Sequence, residues 1–186
     1  MNRRVSKIAS HAGSSPAVVR EFRSSPEAIW IVRSRTVSTK AFESAERRVR
    51  LGLIFGVAAR IEDSDGRILL VRMSPEKAWT DGWVTPGGGG EPGESPREAL
   101  LREISEETGI RVKKISLWKV YHEEVRDRRG RSIRWDFLQY TAQWASGRPA
   151  SNVPDEIAEV RWFSHLPPNT EFRDDWLRPP RARFDR

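Results

Sequence analysis

The chain has no cysteine among its 186 residues. Disulfides, thiolate nucleophiles and thiolate-bound zinc are therefore excluded, and the expected location is cytoplasmic. Histidine is nearly as scarce. His11, His122 and His165 stand far apart, with no metal-ligand spacing, so each is expected to be an ordinary surface or strand residue. No apolar run nears the roughly 20 residues that a spanning helix requires, so no membrane partner is expected. No continuous apolar stretch follows the early arginines, which argues against a secretory leader. Internal repeats are also absent, and the length suits one full core rather than two ordinary domains.

What is present is unevenly placed. Residues 1–50 hold 11 Lys/Arg and 4 Asp/Glu, a balance of +7, whereas residues 51–186 hold 22 of each. The high pI therefore belongs to the N-terminal segment. A basic domain would suggest nucleic acid, but the neutral body argues against nucleic acid as a partner. Residues 1–44, rich in Ser and Arg, have short apolar pieces such as Ala28 to Val32 but no sustained period, and are expected to form a basic, poorly ordered extension. The composition also mimics a transit peptide. A folded domain is expected over 45–178 and a frayed tail over 179–186.

From Leu51 the pattern sharpens. Leu51–Ala59 and Arg67–Arg72 read as strands joined by the turn Asp63-Ser64-Asp65-Gly66, a hairpin. A short strand at Trp83-Val84 runs into Pro86 and four glycines. A helix should follow, with Ser95 as N-cap, Pro96 at its first position, Glu98 completing a capping box, and Gly109 as its stop. Leu100, Leu101, Ile104 and Thr108 fall on its inner side. Val112–Glu123 and Ile133–Trp144 form a long-armed hairpin about Asp127–Gly130; Ile157–Phe163 is a last strand and Leu166–Leu177 carries a short helix. Trp135, Trp144 and Trp162 are expected to pack on strands, and Trp83 beneath the glycine loop.

The chemistry is concentrated in residues 86–110. A glycine-rich loop meets a helix N-terminus, where free N–H groups and the dipole favour an anion. Gly88 and Gly89 are candidates to approach a phosphate with their backbone. The helix then presents Glu103, Glu106 and Glu107 within about 100° of arc. Three such carboxylates repel one another, and a hard divalent cation relieves that repulsion. Magnesium binds a few carboxylates together with substrate phosphates, so the pattern is suited to a metal–diphosphate complex. Arg102, eight residues after Glu94, is placed to pin a carboxylate to the loop.

This segment resembles the Nudix hydrolases. Their signature, G-x5-E-x7-R-E-U-x-E-E-x-G-U with U a bulky aliphatic residue, is matched by Gly88, Glu94, Arg102, Glu103, Ile104, Glu106, Glu107, Gly109 and Ile110, at every defined position. The resemblance implies an α/β fold, a Nudix α/β/α sandwich with a mixed β-sheet. It implies magnesium-dependent hydrolysis, with manganese able to substitute, of a nucleoside diphosphate linked to another group, either nucleotide triphosphate clean-up or a nucleotide-sugar type substrate. Glu103, Glu106, Glu107 and the Gly87 carbonyl match the family's metal ligands. Arg102 and Glu94 match the pair that orients the helix against the loop. The base that activates water varies in this family: here it is Glu103 or a later glutamate, Glu156 or Glu159. The partner expected is a nucleotide-like small molecule, and a homodimer is left open. An alternative is a non-catalytic ligand-sensing Nudix domain with a basic, nucleic-acid-touching N-terminal arm. Against it, all the catalytic glutamates are present and residues 1–50 have no helix-turn-helix pattern.

Overall fold

The computed structural model describes residues 14–177, apart from residues 38, 53, 54 and 79. In chain order the elements are α1 (Pro16–Arg23), β1 (Ile29–Thr36), α2 (Thr39–Arg50), β2 (Phe55–Glu62), β3 (Ile68–Met73), β4 (Gly87–Gly89), α3 (Pro96–Thr108), β5 (Arg111–Arg126), β6 (Ser132–Ser146), β7 (Ile157–Phe163) and α4 (Arg173–Trp176). The fold is mixed α/β, as expected. Its strands form one seven-stranded sheet in the order β1-β5-β6-β2-β3-β7, with β4 paired to β2. The sheet is mixed, since β1 runs parallel to β5 while β3 is antiparallel to both β2 and β7.

The chain divides into two compact units. The first comprises Met1–Val57, Gly88–Ala99 and Leu117–Gln139, and the second Ala58–Gly87, Leu100–Ser116 and Tyr140–Arg186. In the first unit, the described part of the N-terminal segment departs from the expectation of poor order. Residues 14–50 carry α1, β1 and α2, and β1 pairs with β5 from Ile29↔Lys119 to Thr36↔Arg126. This strand has no period of its own to betray it: Trp30 is its buried residue while Ile29 and Val32 are about half exposed. Pairing with β5 supplies the order instead. Trp30 lies against Phe22 of α1 at 5.1 Å and stacks on His122 at 6.0 Å. Ser15 caps α1 by accepting from the Val18 N–H at 3.2 Å. The extremes of the chain, residues 1–13 and the expected tail 179–186, lie outside the described residues.

His122 lies on β5, the strand half of the surface-or-strand expectation, and it is buried, with Nδ1 2.7 Å from Asp136 Oδ1. The Ser14 hydroxyl reaches both, 3.1 Å from His122 Nδ1 and donating to Asp136 Oδ1 at 3.1 Å. Buried polar groups without partners are costly, and these three satisfy one another.

Both hairpin turns are the same device. In Asp63-Ser64-Asp65-Gly66-Arg67 and Asp127-Arg128-Arg129-Gly130-Arg131 the leading aspartate accepts two backbone N–H groups and the Nε of the closing arginine, the latter at 2.7 Å in each. The glycines take φ of +75° and +82°, which a side chain would resist. Each aspartate is held below its usual pKa by these bonds, against the opposing effect of desolvation.

The second unit has its core in Ile61, Leu69, Leu70, Leu100, Ile104 and Tyr140, all essentially sealed from solvent. Trp83 is buried and packs edge-on against Phe163 at 4.7 Å. Trp135, Trp144 and Trp162 are half-buried on their strands. The sequence reading needs correcting at one strand start and one helix-face position. The strand expected from Leu51 begins at Phe55, after a turn in which Gly52 takes φ +83°. The short helix expected within Leu166–Leu177 is Arg173–Trp176, preceded by Phe172 in the left-handed region at φ +52°. Leu101, placed on the inner side of α3, is exposed, while Leu100, Ile104 and Thr108 are buried.

Candidate active site

α3 starts as its sequence dictates. Ser95 Oγ accepts the Glu98 N–H at 3.3 Å, and the Glu98 carboxylate accepts from the Ser95 N–H at 2.9 Å and its hydroxyl at 2.7 Å. Pro96 occupies the first helical position. The other end is clamped. Gly109 takes φ +66°, the Ala150 N–H satisfies the Thr108 carbonyl at 3.0 Å, and the Asn152 amide donates to the Ser105 carbonyl at 3.0 Å. A Cβ at Gly147 would lie 2.8 Å from the Gly109 carbonyl oxygen, so the returning loop passes hard against the helix end.

The glycine segment is not a pliable loop throughout. Gly87–Gly89 form β4, so Gly88 and Gly89 sit in a strand paired to β2. The next glycine explains why a side chain is excluded there. A Cβ at Gly90 would fall 2.1 Å from the Phe55 ring, while the Gly90 N–H donates to the Phe55 carbonyl at 3.1 Å. Glu94 lies in the turn before α3, where its carboxylate accepts the Glu91 N–H at 2.8 Å.

Within the second unit, the side chains of α3 converge with two loops. Glu107 is half-buried and accepts the Gly87 N–H at 2.8 Å. Its carboxyl is pushed up to about 8, first by desolvation and then by the charges of Glu103, Glu156 and Glu106, with the Gly87 bond opposing. Glu103 is raised for the same reasons, burial first, although Arg102 pulls it down. Arg102 bridges two of these carboxylates, reaching Glu103 at 3.0 Å and Glu106 at 3.1 Å. Glu106 is about half exposed.

The two candidate bases separate. Glu156 belongs to the cluster electrostatically, since its charge raises both Glu103 and Glu107. Its segment is anchored by the Ser74 N–H donating to the Glu156 carbonyl at 2.8 Å and the Ser74 hydroxyl donating to the Asp155 carbonyl at 2.6 Å. Glu159, on β7, is tied instead to Arg72 at 2.7 Å. Lys77, 3.8 Å from Glu156, is a participant that nothing in the sequence pattern singles out. A cavity of about 440 Å³ lined by Pro168, Phe172, Arg173 and Asp174 shares no residue with this cluster.

Among the described residues, no group of three or more His, Asp or Glu side chains is arranged to hold an ion by itself. Carboxylate oxygens are nevertheless the donors that magnesium takes, and that ion is commonly completed by water and phosphate rather than by a protein cage. A carboxyl pushed up to about 8 by burial first and then by its acidic neighbours marks a place where a divalent cation would relieve repulsion. The donor set fits the metal.

The NUDIX domain matches residues 52–179. The chain is 31% identical over 99 residues to the uncharacterized Nudix hydrolase YvcI of Bacillus subtilis, covering 53% of this chain and 59% of that protein. It is 30% identical over 122 residues to the RNA pyrophosphohydrolase of Novosphingobium aromaticivorans, covering 57% of this chain and 74% of the relative. Among solved structures, a MutT NUDIX hydrolase from Burkholderia pseudomallei superposes with a TM-score of 0.52 at 33% identity, covering 65% of this chain and 92% of that one. With the complete signature carried by β4 and α3, the chain belongs to the NUDIX domain family.

Proposed function

We propose that the protein hydrolyses a diphosphate bond in a nucleoside diphosphate linked to a further group, with a divalent cation, magnesium or manganese, bound at the glutamate cluster. The observation that carries this reading is the Glu107 carboxyl, tied to the Gly87 N–H and raised to about 8 among three other glutamates. Relatives named as an RNA pyrophosphohydrolase, a nucleoside triphosphatase and an ADP-ribose pyrophosphatase differ in what is attached to the nucleotide, and the diphosphate is what their substrates share.

Glu103, Glu106 and Glu107 would hold the metal, with the Gly87 carbonyl as a further donor. When bound, the metal supplies charge neutralisation at the phosphoryl oxygens and acidifies water. The protein's own part is positioning. The Gly87 N–H fixes one oxygen of Glu107, and Arg102 keeps Glu103 and Glu106 from drifting apart. Glu156 is the favoured base for the attacking water, because its charge acts on Glu103 and Glu107 and its Lys77 partner is 3.8 Å away, while Glu159 is held by Arg72 at 2.7 Å. Glu103 is the second candidate. Glu94 orders the approach to α3 by closing the turn at Glu91.

The test is a phosphate-release screen over nucleotides and sugar nucleotides, with and without magnesium, on wild type and Glu107→Gln. At least one substrate should turn over, the metal should be required, and the variant should lose on the order of a thousandfold. Undiminished turnover by Glu107→Gln would reject the assignment.

A further inference from the structure

The segment after β7 is fastened at both ends within the second unit. Residues 169–171 lie alongside Trp83: the Trp83 N–H donates to the Asn169 carbonyl at 3.1 Å, and the Glu171 N–H donates to the Trp83 carbonyl at 2.8 Å. The Thr80 hydroxyl donates to the Glu171 carboxylate at 2.5 Å. A Cβ at Gly82 would lie 2.2 Å from the Asn169 carbonyl oxygen, so only glycine admits the strap there. At the other end Arg60 donates to the carbonyl of buried Trp176 at 2.9 Å. Trp83 stands four residues before Gly87, whose N–H holds Glu107, so the strap and the glutamate cluster hang on one short stretch of chain.

Between these anchors Phe172 takes φ +52° and ψ +29°, the left-handed region that a bulky side chain resists. The residue is 37% exposed, so burial repays only part of that strain. Such residues persist where their surroundings over-determine them, and they cluster at ligand sites. Here the strained residue opens onto a cavity of about 440 Å³ lined by Pro168, Phe172, Arg173 and Asp174. That volume falls within the roughly 300–1,000 Å³ of small-molecule sites. Arg173 is steadied against the cavity wall, its Nε donating to the Leu166 carbonyl at 3.3 Å.

We propose that this cavity binds a nucleobase, stacked on Phe172 and presenting N–H donors to Asp174. The proposal rests on the nucleoside substrate proposed above and names the place for its base. A flat ring with a polar edge suits the lining. Aromatic faces stack bases of every kind, and an ionised carboxylate only accepts, so it selects an edge that donates. A phosphate is the poorer occupant, because Asp174 repels it. An aliphatic chain is poorer still, because it desolvates Arg173 and Asp174 without pairing them.

The test is saturation-transfer NMR of the full chain with adenosine, guanosine, cytidine and uridine, in chelator and without phosphate. Neither metal nor hydrolysis then enters the measurement. At least one nucleoside should bind, with transfer strongest at its base protons. Phe172→Leu keeps an apolar side chain but loses the stacking face, and should weaken binding at least fivefold. Phe172→Tyr keeps the face and should stay within twofold. Asp174→Asn can donate as well as accept, and should change the affinity ratio between two of the nucleosides at least fivefold, which a merely structural role would not do. Leu177→Ala, an exposed apolar residue outside the cavity lining, should change nothing beyond twofold. Three results would each overturn the proposal: no nucleoside bound by wild type, full binding by Phe172→Leu, or an unchanged order of affinities in Asp174→Asn. Nucleosides bound by a protein that turns over no nucleotide would leave this pocket standing and reject the hydrolysis reading; turnover with no nucleoside bound would do the reverse.

Discussion

At neutral pH the Glu107 carboxyl keeps its proton more often than not, since burial and three acidic neighbours push it up to about 8. In the unfolded chain the same group titrates near 4.5. Between these values the folded state holds a proton that the unfolded state has released, so stability falls as pH rises from about 4.5 to about 8 and then levels. Thermal unfolding without metal should therefore give a Tm lower at pH 8 than at pH 5.5, by roughly 5 °C or more for a chain of this size. Glu107→Gln should flatten that slope, and magnesium should restore wild type at pH 8 while leaving the variant unmoved. Cation binding must also expel this proton. Calorimetric titrations at pH 7 in two buffers of different ionisation enthalpy should then give different apparent heats for wild type and equal heats for Glu107→Gln. Identical heats for wild type would mean that Glu107 is already ionised.

At the scale of elements, α3 holds the site because both of its ends are fixed. The N-terminal cap is local chemistry, written in Ser95, Pro96 and Glu98 and therefore legible in sequence. Ser95→Ala should lower stability by about 1 kcal/mol in urea unfolding, since it removes the hydroxyl that accepts the Glu98 N–H and leaves Glu98 only the backbone N–H of residue 95. The C-terminal clamp is not local. Gly147, at φ +95° and with a Cβ that would lie 2.8 Å from the Gly109 carbonyl oxygen, reads in sequence as one more loop glycine. Gly147→Ala must strain its own backbone and push the loop off the helix end, so it should cost more than the cap, about 2–3 kcal/mol. Gly66→Ala tests the share owed to φ alone, because its Cβ would meet nothing within 4 Å. An equal cost at the two sites would assign no part to the close approach. His122 and Asp136 escaped the sequence reading for the same reason. A carboxylate in phase with Leu138 and Tyr140 hints at burial, but its partner lies on another strand.

Over the whole molecule, β2, β3, β5, β6 and β7 were readable because each has a sustained apolar pattern or a turn residue at its border, whereas β4, made only of glycines, read as part of a loop. β1 was not readable either, because it is ordered by what it covers. Pairing along Ile29–Thr36 occupies the edge of β5 from Lys119 to Arg126, and it brings Arg33 and Arg35 to Glu123, which is 1% exposed. A chain lacking residues 1–36 keeps the full signature and all the glutamates of the site, yet it bares an edge of eight residues and strands a buried carboxylate. Unpaired edges recruit other chains, and an isolated buried charge costs about 3–5 kcal/mol. The truncated chain should unfold at a lower urea concentration than the full chain and scatter light at concentrations where the full chain does not. Glu123→Gln in the truncated chain removes the charge and should recover part of the midpoint, while in the full chain the same change breaks two ion pairs and should lower it. An unchanged midpoint on truncation would mean instead that the domain is self-sufficient from about Ala45, as the sequence pattern alone suggests, and that β1 is an ornament on a finished sheet.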